Sequence, residues 1–428
     1  MTAETPVGSD ADDLLRWVRS LDDRTQRSVM PSGLVVVSDH IESATSCVVS
    51  VMVRSGSRDD PEGLAGAAHF LEHMAFQGTR GRDAREVNTL VDAVGGELNA
   101  YTVKEVTSYY ARVPFTAQDL AVDLLCELVA TPRLDPHDVD CEREVIREEL
   151  SAALDDPDDL AATALADALF PGHPLGREVL GDESSLVALD AAALRSHHSR
   201  FHRPRNIVVV AAGRVDHDRL TEVVSRWFDP DDHGGVPPAR VPVTNALQPR
   251  REIVHHSEQC HLGIGWRAHA ALHPDRYSLA VLLHVLGDGP SSRLFRIIRD
   301  ERGLAYEVDA ANAVYSDAGT VAVSTASAPR HRGEIERVII GEIEDLAANG
   351  VGADELAVAV GYLQGATVLG LEDPGSRMAR LAGGELVGRT VPVAESLDGY
   401  AAVTSADLSR VAVEILTAPY AEVVVGPS

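Results

Sequence analysis

The segment His69-Phe70-Leu71-Glu72-His73 has the residue types and the spacing of a metal site on a helix. His69 and His73 are four residues apart, so on a helix their imidazoles project from one face and can bind one ion. Glu72 borders that face, where a carboxylate that is not a ligand can accept a proton from an activated water. A catalytic zinc ion takes three protein ligands and keeps one position open. The segment therefore predicts a zinc site whose third ligand, a carboxylate, comes from another part of the chain.

An acidic helix further along the chain offers candidates for this third ligand. Between positions 141 and 150 the sequence reads CEREVIREEL, where Glu142 and Glu149 are seven residues apart and share one helical face. Glu144 and Glu148 are four residues apart and share another face. Helical periodicity by itself does not choose between the two pairs.

The helices that hold these residues are marked by their ends. For the first helix, Asp60 is a candidate cap, Pro61 suits the first turn and Gly78 can close it. The second helix is predicted over 136–154, directly after Asp135, which is a favourable capping residue. Both histidines and the candidate carboxylates are therefore expected on helices, which hold side chains in defined directions.

The order of the predicted elements indicates two similar halves. Strand patterns at 33–38, 47–54 and 206–213 alternate with helical patterns, and a comparable series follows position 250, in element order and not in matching letters. We therefore expect an α+β fold of two similar domains, each an antiparallel-rich β-sheet packed with helices, related by duplication. The predicted division is an acidic N-terminal arm over 1–25, a metal-bearing domain over 26–228, a linker over 229–250 and a C-terminal domain over 251–428.

The composition argues against several classes of protein. The chain has 428 residues and a formal net charge of −28, whereas nucleic-acid binding needs basic surface to neutralise phosphates. No apolar run is long enough to span a membrane, and the polar start of the chain is unlike a secretory signal. The four cysteines are widely spaced and predict no thiolate zinc site. We therefore expect a cytoplasmic protein with no nucleic-acid or membrane partner.

The residues around the two histidines resemble a known family. The His-x-x-Glu-His order is that of the inverzincin metallopeptidases, and residues 66–79 are similar throughout to the core segment of the pitrilysin and insulinase family. The chain looks most like the short branch that includes the bacterial and mitochondrial processing peptidases. The resemblance implies that Glu149, 76 residues after His73, is the third zinc ligand, that Glu142 lies beside the site, and that each chain binds one Zn²⁺.

Two further segments extend this resemblance to about residues 28–425. Residues 95–102 are similar to the family's edge strand, which implies that a peptide substrate binds as an added strand along Asn99 and Ala100. Residues 291–306 are similar to the segment that carries the family's substrate-binding arginine and tyrosine, which are seven positions apart.

That pair corresponds to Arg299 and Tyr306, with Arg302 as a nearby alternative for the arginine. In this branch the second half of a partner chain completes the metal site. The resemblance therefore implies a homodimer, or a heterodimer with a related chain.

The predicted function is that of a zinc-dependent endopeptidase acting on unfolded peptides or leader segments. Glu72 is expected to be the general base towards a zinc-activated water. Tyr306 is expected to donate a hydrogen bond to the developing oxyanion, and Arg299 to hold a neighbouring backbone carbonyl. The alternatives are a catalytically silent structural or substrate-binding subunit of the same family, or one subunit of a heteromeric processing peptidase.

Overall fold

The computed structural model describes residues 17, 18, 20, 24–235 and 239–427. Most of the predicted acidic arm therefore lies outside the described residues. Val18 is fully buried against Leu371, Val393 and Leu397, so this point of the N-terminal segment is packed on the second half of the chain.

The first half is built on a sheet that has six strands among the described residues. These are β1 Thr25–Val29, β2 Val35–His40, β3 Ser46–Val53, β4 Glu97–Thr102, β5 Thr107–Pro114 and β6 Ile207–Gly213. They lie in the order β1-β2-β6-β3-β5-β4, and every pair is antiparallel except β2 with β6. The two central strands, β3 and β6, are rich in valine and other small apolar residues, which suits burial on both faces.

The second half repeats this sheet with one strand fewer. Its strands are β7 Arg250–Val254, β8 Cys260–Ala268, β9 Ala305–Val314, β10 Gly319–Ser327 and β11 Tyr420–Gly426. Their order is β7-β11-β8-β10-β9, with β7 and β11 parallel and the other pairs antiparallel. Strand for strand this is the arrangement of β2 to β6, so the predicted α+β fold of two similar, duplicated domains is confirmed.

Helices connect and cover the two sheets. In the first half they are α1 Ala67–Phe76, α2 Ala84–Asp92, α3 Gln118–Ala130, α4 Pro136–Asp155, α5 Pro157–Leu169, α6 Glu183–Ala188, α7 Ala191–Phe201 and α8 His217–Ser225. In the second half they are α9 Arg276–Leu286, α10 Arg332–Asn349, α11 Ala353–Gly370, α12 Pro374–Leu386, α13 Val393–Ala401 and α14 Ser405–Val411, with π-helical turns at Phe295–Glu301 and Ala412–Leu416. No helix in the described ranges is long and apolar enough to cross a lipid bilayer.

Each half lends one helix to the sheet of the other half. Helix α5 packs Leu165 and Leu169 against Val423 and Val425 of β11, while α12 packs on β2 and β6. Both helices begin at a proline whose preceding aspartate, Asp156 or Asp373, accepts hydrogen bonds from the first turn. The letters also match, because Leu-Asp-Asp-Pro at 154–157 corresponds to Leu-Glu-Asp-Pro at 371–374. The two halves therefore match in letters at this point, although only a match in element order was predicted.

The exchange of helices is secured by a buried ion pair. The guanidinium of Arg377 on α12 lies 3.1 Å from Asp39 of β2, and the two side chains are only 4% and 2% exposed. Its Nε also donates to the carbonyl of Leu371 at 2.5 Å. Because both charged groups are satisfied inside the protein, the pair joins the two halves without leaving a buried charge unpaired.

The segment predicted as a linker contains no helix or strand between α8 and β7 in the residues that are described. It is nevertheless held to the first half at several points. The backbone of Gln248 donates to the carbonyl of Ala168, the carbonyl of Val241 is hydrogen-bonded to His173 Nε2, and Arg240 pairs with Asp59. The limits of the arm, the two domains and the linker remain predictions.

The helix of the metal motif starts later than its sequence suggests. It runs from Ala67 to Phe76 and not from Pro61 to Gly78. Asp60 nevertheless serves as a cap from a distance, because its carboxylate accepts hydrogen bonds from the backbone N–H of Gly66 at 2.8 Å and of Ala68 at 3.0 Å. Gly66 has a left-handed φ of 89°, and a Cβ there would lie 2.5 Å from the carbonyl oxygen of Leu180. The chain therefore turns sharply at Gly66 before the helix begins.

Candidate metal centre

Two histidines on α1 and one glutamate on α4 converge. His69 Nε2 lies 3.8 Å and His73 Nε2 3.4 Å from Glu149 Oε2, and one donor atom from each residue falls within 4.8 Å of the others. The two imidazole rings are 4.6 Å apart and tilted by 59°, and both Nε2 atoms lie near the same carboxylate oxygen. The alternative carboxylates point elsewhere: Glu144 pairs with Arg147, and Glu148 is exposed.

This arrangement fits a tetrahedral zinc ion. Zinc–ligand bonds of about 2.0–2.2 Å place neighbouring ligand atoms roughly 3.3–3.5 Å apart. The two measured nitrogen–oxygen distances come close to this value before any adjustment of the side chains. Two neutral imidazoles and one carboxylate are also the ligand set of known catalytic zinc sites, which leave a fourth position open.

A second histidine cluster among the described residues fits a metal ion poorly. His269, His273 and Asp275 also bring donor atoms within 4.8 Å. Their two imidazole rings, however, are stacked 3.6 Å apart and only 9° from parallel, so one ion cannot lie in the plane of both rings. Asp275 is moreover engaged with both terminal nitrogens of Arg410. The first cluster is therefore the better candidate for a metal centre among the described residues.

Glu142 fixes the orientation of His73. Its carboxylate is buried, lies 2.8 Å from His73 Nδ1 and accepts a second hydrogen bond from Gln77 Nε2 at 2.6 Å. A proton on Nδ1 leaves Nε2 free as the metal-binding atom. Burial tends to lower the pKa of His73, but its contacts with Glu142 and Glu149 raise that pKa to about 9. Sequence reasoning missed Gln77, although its position one turn after His73 on the same helical face is a usable signal.

Glu72 lies beside the ligands without joining them. It is buried, and its carboxylate accepts a hydrogen bond of 2.5 Å from the hydroxyl of Thr102, the last residue of β4. Burial raises the pKa of Glu72, and the hydrogen bond from Thr102 opposes this shift. For His69, burial and then the neighbouring His73 lower the pKa to about 4. Thr102 was missed from the sequence because nothing local links it to a residue 30 positions earlier.

The strand that carries Thr102 is an open edge of the first sheet. Within the described residues β4 pairs with β5 on one side only. Asn99 is exposed, and its side-chain oxygen accepts a hydrogen bond of 2.8 Å from the backbone N–H of Ala100. The predicted substrate-binding residues therefore lie two and three positions before the residue that holds Glu72.

Arg299 and Tyr306 form a unit of their own in the second half. The Arg299 guanidinium lies 4.7 Å from the centre of the Tyr306 ring and 4.6 Å from that of Phe295. Tyr306 is 77% exposed, and the alternative Arg302 pairs with Glu334 at 3.2 Å. No hydrogen bond or ion pair described for this chain connects Arg299 or Tyr306 with the metal cluster, so their substrate roles stay predictions.

Comparison with known proteins agrees with this architecture. The family model described as Insulinase (Peptidase family M16) matches residues 35–183, and the one described as Peptidase M16 inactive domain matches 188–363. The crystal structure of a protease from Helicobacter pylori superposes with a TM-score of 0.87 at 21% identity, covering 94% of this chain and 99% of that chain. At this identity the likeness establishes the fold.

The sequence relatives are more informative. An uncharacterized zinc protease of Mycobacterium tuberculosis is 40% identical over 407 residues, covering 94% of this chain and 93% of the relative. An uncharacterized zinc protease of Bacillus subtilis is 30% identical over 407 residues, covering 94% and 98%. These names support a metallopeptidase and zinc as its metal. With the convergent histidines and the two matched domains, they show that the chain belongs to the insulinase, or M16, family of peptidases.

Proposed function

We propose that this chain is a zinc-dependent endopeptidase that cleaves unfolded peptides or leader segments. The observation that carries the proposal is the convergence of His69 Nε2, His73 Nε2 and Glu149 Oε2 beside the buried carboxylate of Glu72. A silent subunit has no need of a buried carboxylate next to three ligands, since burying such a group costs free energy.

His69, His73 and Glu149 would hold the zinc ion, with Glu142 keeping His73 in the ligating tautomer. Zinc bound in this way acidifies a water molecule and polarises a carbonyl group. Glu72 accepts the proton of the attacking water and passes it to the leaving amine. The raised pKa of Glu72 suits this role, because a base that is too weak would not take the proton near neutral pH.

The open edge of β4 supports binding of the peptide as an added strand. Backbone pairing at a sheet edge gives affinity with little dependence on side chains, as a peptidase of broad range requires. An incoming strand would replace the hydrogen bond that Asn99 now makes with the Ala100 N–H. Because Thr102 on the same strand holds Glu72, a peptide paired with β4 passes next to the general base.

Arg299 and Tyr306 are proposed to bind the substrate backbone from a second chain. Both are presented at the surface, where the exposed phenol of Tyr306 is available as a hydrogen-bond donor. A homodimer supplies this pair to each metal centre, and a heterodimer with a related chain would do the same. Gel filtration with activity measured across the peak distinguishes a working homodimer from a chain that needs another partner.

The decisive experiment compares cleavage of a mixed, unstructured peptide library by the wild type and by Glu72→Gln at equal, measured zinc content. We expect the variant to retain zinc and to lose activity by about 10²–10⁴-fold, which is the usual contribution of a general base. Glu148→Gln is the matched control, because it makes the same change at an exposed position of the ligand helix.

Two results would contradict the proposal. If Glu72→Gln cleaves as fast as the wild type, Glu72 is not the base. If wild type and variants bind zinc, and no peptide is cleaved even by the dimer peak, the chain alone is not an endopeptidase, and a silent subunit or one subunit of a heteromeric peptidase replaces the proposal.

A further inference from the structure

A large cavity lies between the two halves of the chain, apart from the metal centre. Its volume is about 900 Å³, which lies within the usual range for small-molecule sites. The turn between β4 and β5 and the end of β9 form opposite walls, and the C-terminal end of α12 with residues 387–391 closes one side. A ligand in this cavity would therefore touch both halves at once.

The charge of this cavity is opposite to that of the protein. The chain has 66 acidic and 38 basic residues, but the cavity is lined by six basic side chains and only two acidic ones, Glu105 and Glu385. The basic residues are Arg54, Lys104, Arg240, Arg276, Arg380 and Arg389. Lys104 is the only lysine of the chain. Such a concentration in an acidic protein favours an anionic ligand.

The carboxylates around the cavity do not neutralise these cations one to one. Arg276 and Arg389 share the single carboxylate of Glu395, at 3.2 and 2.6 Å. Arg54 has only Glu385, which is also bound by Arg27. The Nε of Arg54 is buried and has no hydrogen-bond partner in the described structure. This arginine, which lines the cavity, therefore keeps one donor unsatisfied.

Lys104 is compensated only at a distance, by the charges of Glu178 and Asp60. Its ammonium group donates to the backbone carbonyl of Arg177, and no ion pair with a carboxylate is found for it in the ranges described. Burial lowers the pKa of Lys104, since the charged form loses hydration. A bound anion would stabilise the charged form of Lys104, which burial destabilises.

The remaining walls are apolar. Val103, Leu272 and Val314 line the cavity and keep much of their surface exposed, although large apolar side chains gain from burial. Val106, Leu386 and Val391 extend this surface. Apolar walls with a few convergent charges are typical of a site for an amphiphilic molecule.

We propose that this interdomain cavity binds a ligand with an apolar body and one terminal carboxylate. Because these cations are already paired with or lie near carboxylates, a ligand with a single negative charge suits the cavity better than one with several. The same chemistry is offered by a fatty acid and by the free C-terminus of an apolar peptide. The inference does not depend on the proposed peptidase activity, since none of the residues of the metal centre lines the cavity.

Titration calorimetry of the full chain with decanoate below its micellar concentration tests the proposal, with decanol as the uncharged analogue. We expect one decanoate per chain and at least about tenfold weaker binding of decanol, because a charged hydrogen bond is lost. Lys104→Gln combined with Arg389→Gln should weaken decanoate binding by a comparable factor. Arg330→Gln, at an exposed arginine outside the cavity, is the matched control and should bind as the wild type does.

Val314→Trp provides a test that leaves all charges in place. Val314 is exposed at the cavity wall, so the larger side chain fills the space and should abolish binding without affecting the fold. An apolar pentapeptide with a free or an amidated C-terminus then separates the two sources of the carboxylate. The proposal is overturned if neither decanoate nor the free peptide binds, if decanol binds as tightly as decanoate, or if both variants bind like the wild type.

Discussion

Helices α4 and α11 hold equivalent places in the two halves, but their side chains differ in chemistry. Both lead into an Asp-Pro that starts the exchanged helix, so Asp156 and Asp373 set a common offset of 217 positions (373 − 156). With this offset Glu142 corresponds to Ala359 and Glu149 to Ala366. Ala359 is buried, as Glu142 is, but it offers nothing to a metal ion.

The preceding helices show the same contrast. Helix α1 carries His69, Glu72 and His73, whereas the buried side chains of α9 are mostly leucines and valines, with His284 as the one buried histidine of that helix. With the same offset of 217 positions, the exposed residues Glu144, Glu148 and Glu149 of α4 correspond to Gly361, Gly365 and Ala366 of α11, which are also exposed but uncharged.

The two halves differ in chemistry while sharing a fold. They keep the same strand order and the same exchange of one helix between the sheets. The metal centre requires in addition a few polar residues at positions that the other half fills with apolar ones. If this is correct, residues exchanged between equivalent positions should change activity far more than folding.

The largest effect is expected when a metal ligand is replaced by the residue type of the second half. His69→Leu removes one of three ligands, so the zinc content should fall from about one per chain to less than about one tenth, and cleavage should cease. The fold should remain, because His69 is buried and leucine is an apolar residue of similar size. Metal analysis and thermal unfolding followed by circular dichroism measure both. Retention of a full zinc ion would remove His69 from the ligand set.

The second effect concerns the contact that joins the halves. Arg377→Ala leaves Asp39 charged and buried, so the free energy of unfolding should fall by about 3–5 kcal/mol. With the same offset of 217 positions, the residue equivalent to Arg377 is Leu160, so α5 cannot form such an ion pair at this position. The double variant Arg377→Met with Asp39→Leu should recover most of the loss. Urea unfolding followed by tryptophan fluorescence measures this, and a loss below 1 kcal/mol would show that the pair contributes little.

A smaller effect is expected where only the support of a ligand is removed. Glu142→Ala copies Ala359 and frees His73 Nδ1 and Gln77, so zinc affinity should fall by about 10–100-fold. Competition with a zinc chelator measures the affinity. Glu144→Ala, at an exposed position of the same helix, should leave it unchanged. Equal affinities of the two variants would make Glu142 a simple packing residue.

The smallest effect concerns acid stability of the first half. His197 on α7 is buried. Helices α7 and α14 follow the capping residues Asp190 and Thr404, which are 214 positions apart (404 − 190), so His197 corresponds to Val411. Burial lowers the pKa of His197 to about 3, well below its value of about 6.5 in an unfolded chain. The unfolded state therefore takes up this proton first, and stability is lost as the pH falls from 6.5 towards 3.

For one such group the loss is at most about 1.4 kcal/mol per pH unit. His197→Val, which copies the second half, should reduce the slope by up to this amount. Urea midpoints at pH 7.5 and 5.5 test this, and identical slopes for variant and wild type would show that His197 does not titrate on unfolding.

Much of the fold was predictable because its signals are local. Asp135 and Pro136 begin α4 as expected, and the capping box of Asp83 and Glu86 begins α2. Where the signal was not local, the predicted start of α1 was wrong: the helix begins at Ala67, although Asp60 does cap it from six positions before Gly66.

The sequence by itself determined which residues could ligate a metal, since the spacing of His69 and His73 places them one helical turn apart in any fold. The hydrophobic pattern of the sequence also indicated that a similar order of strands and helices occurs in both halves. Only the tertiary structure decided that Thr102 holds Glu72, that Gln77 supports Glu142 and that α5 and α12 exchange sheets. It also decided that the only lysine lies in an interdomain cavity. These contacts join residues far apart in the chain, and a pattern that repeats every two to four residues carries no information about such pairs.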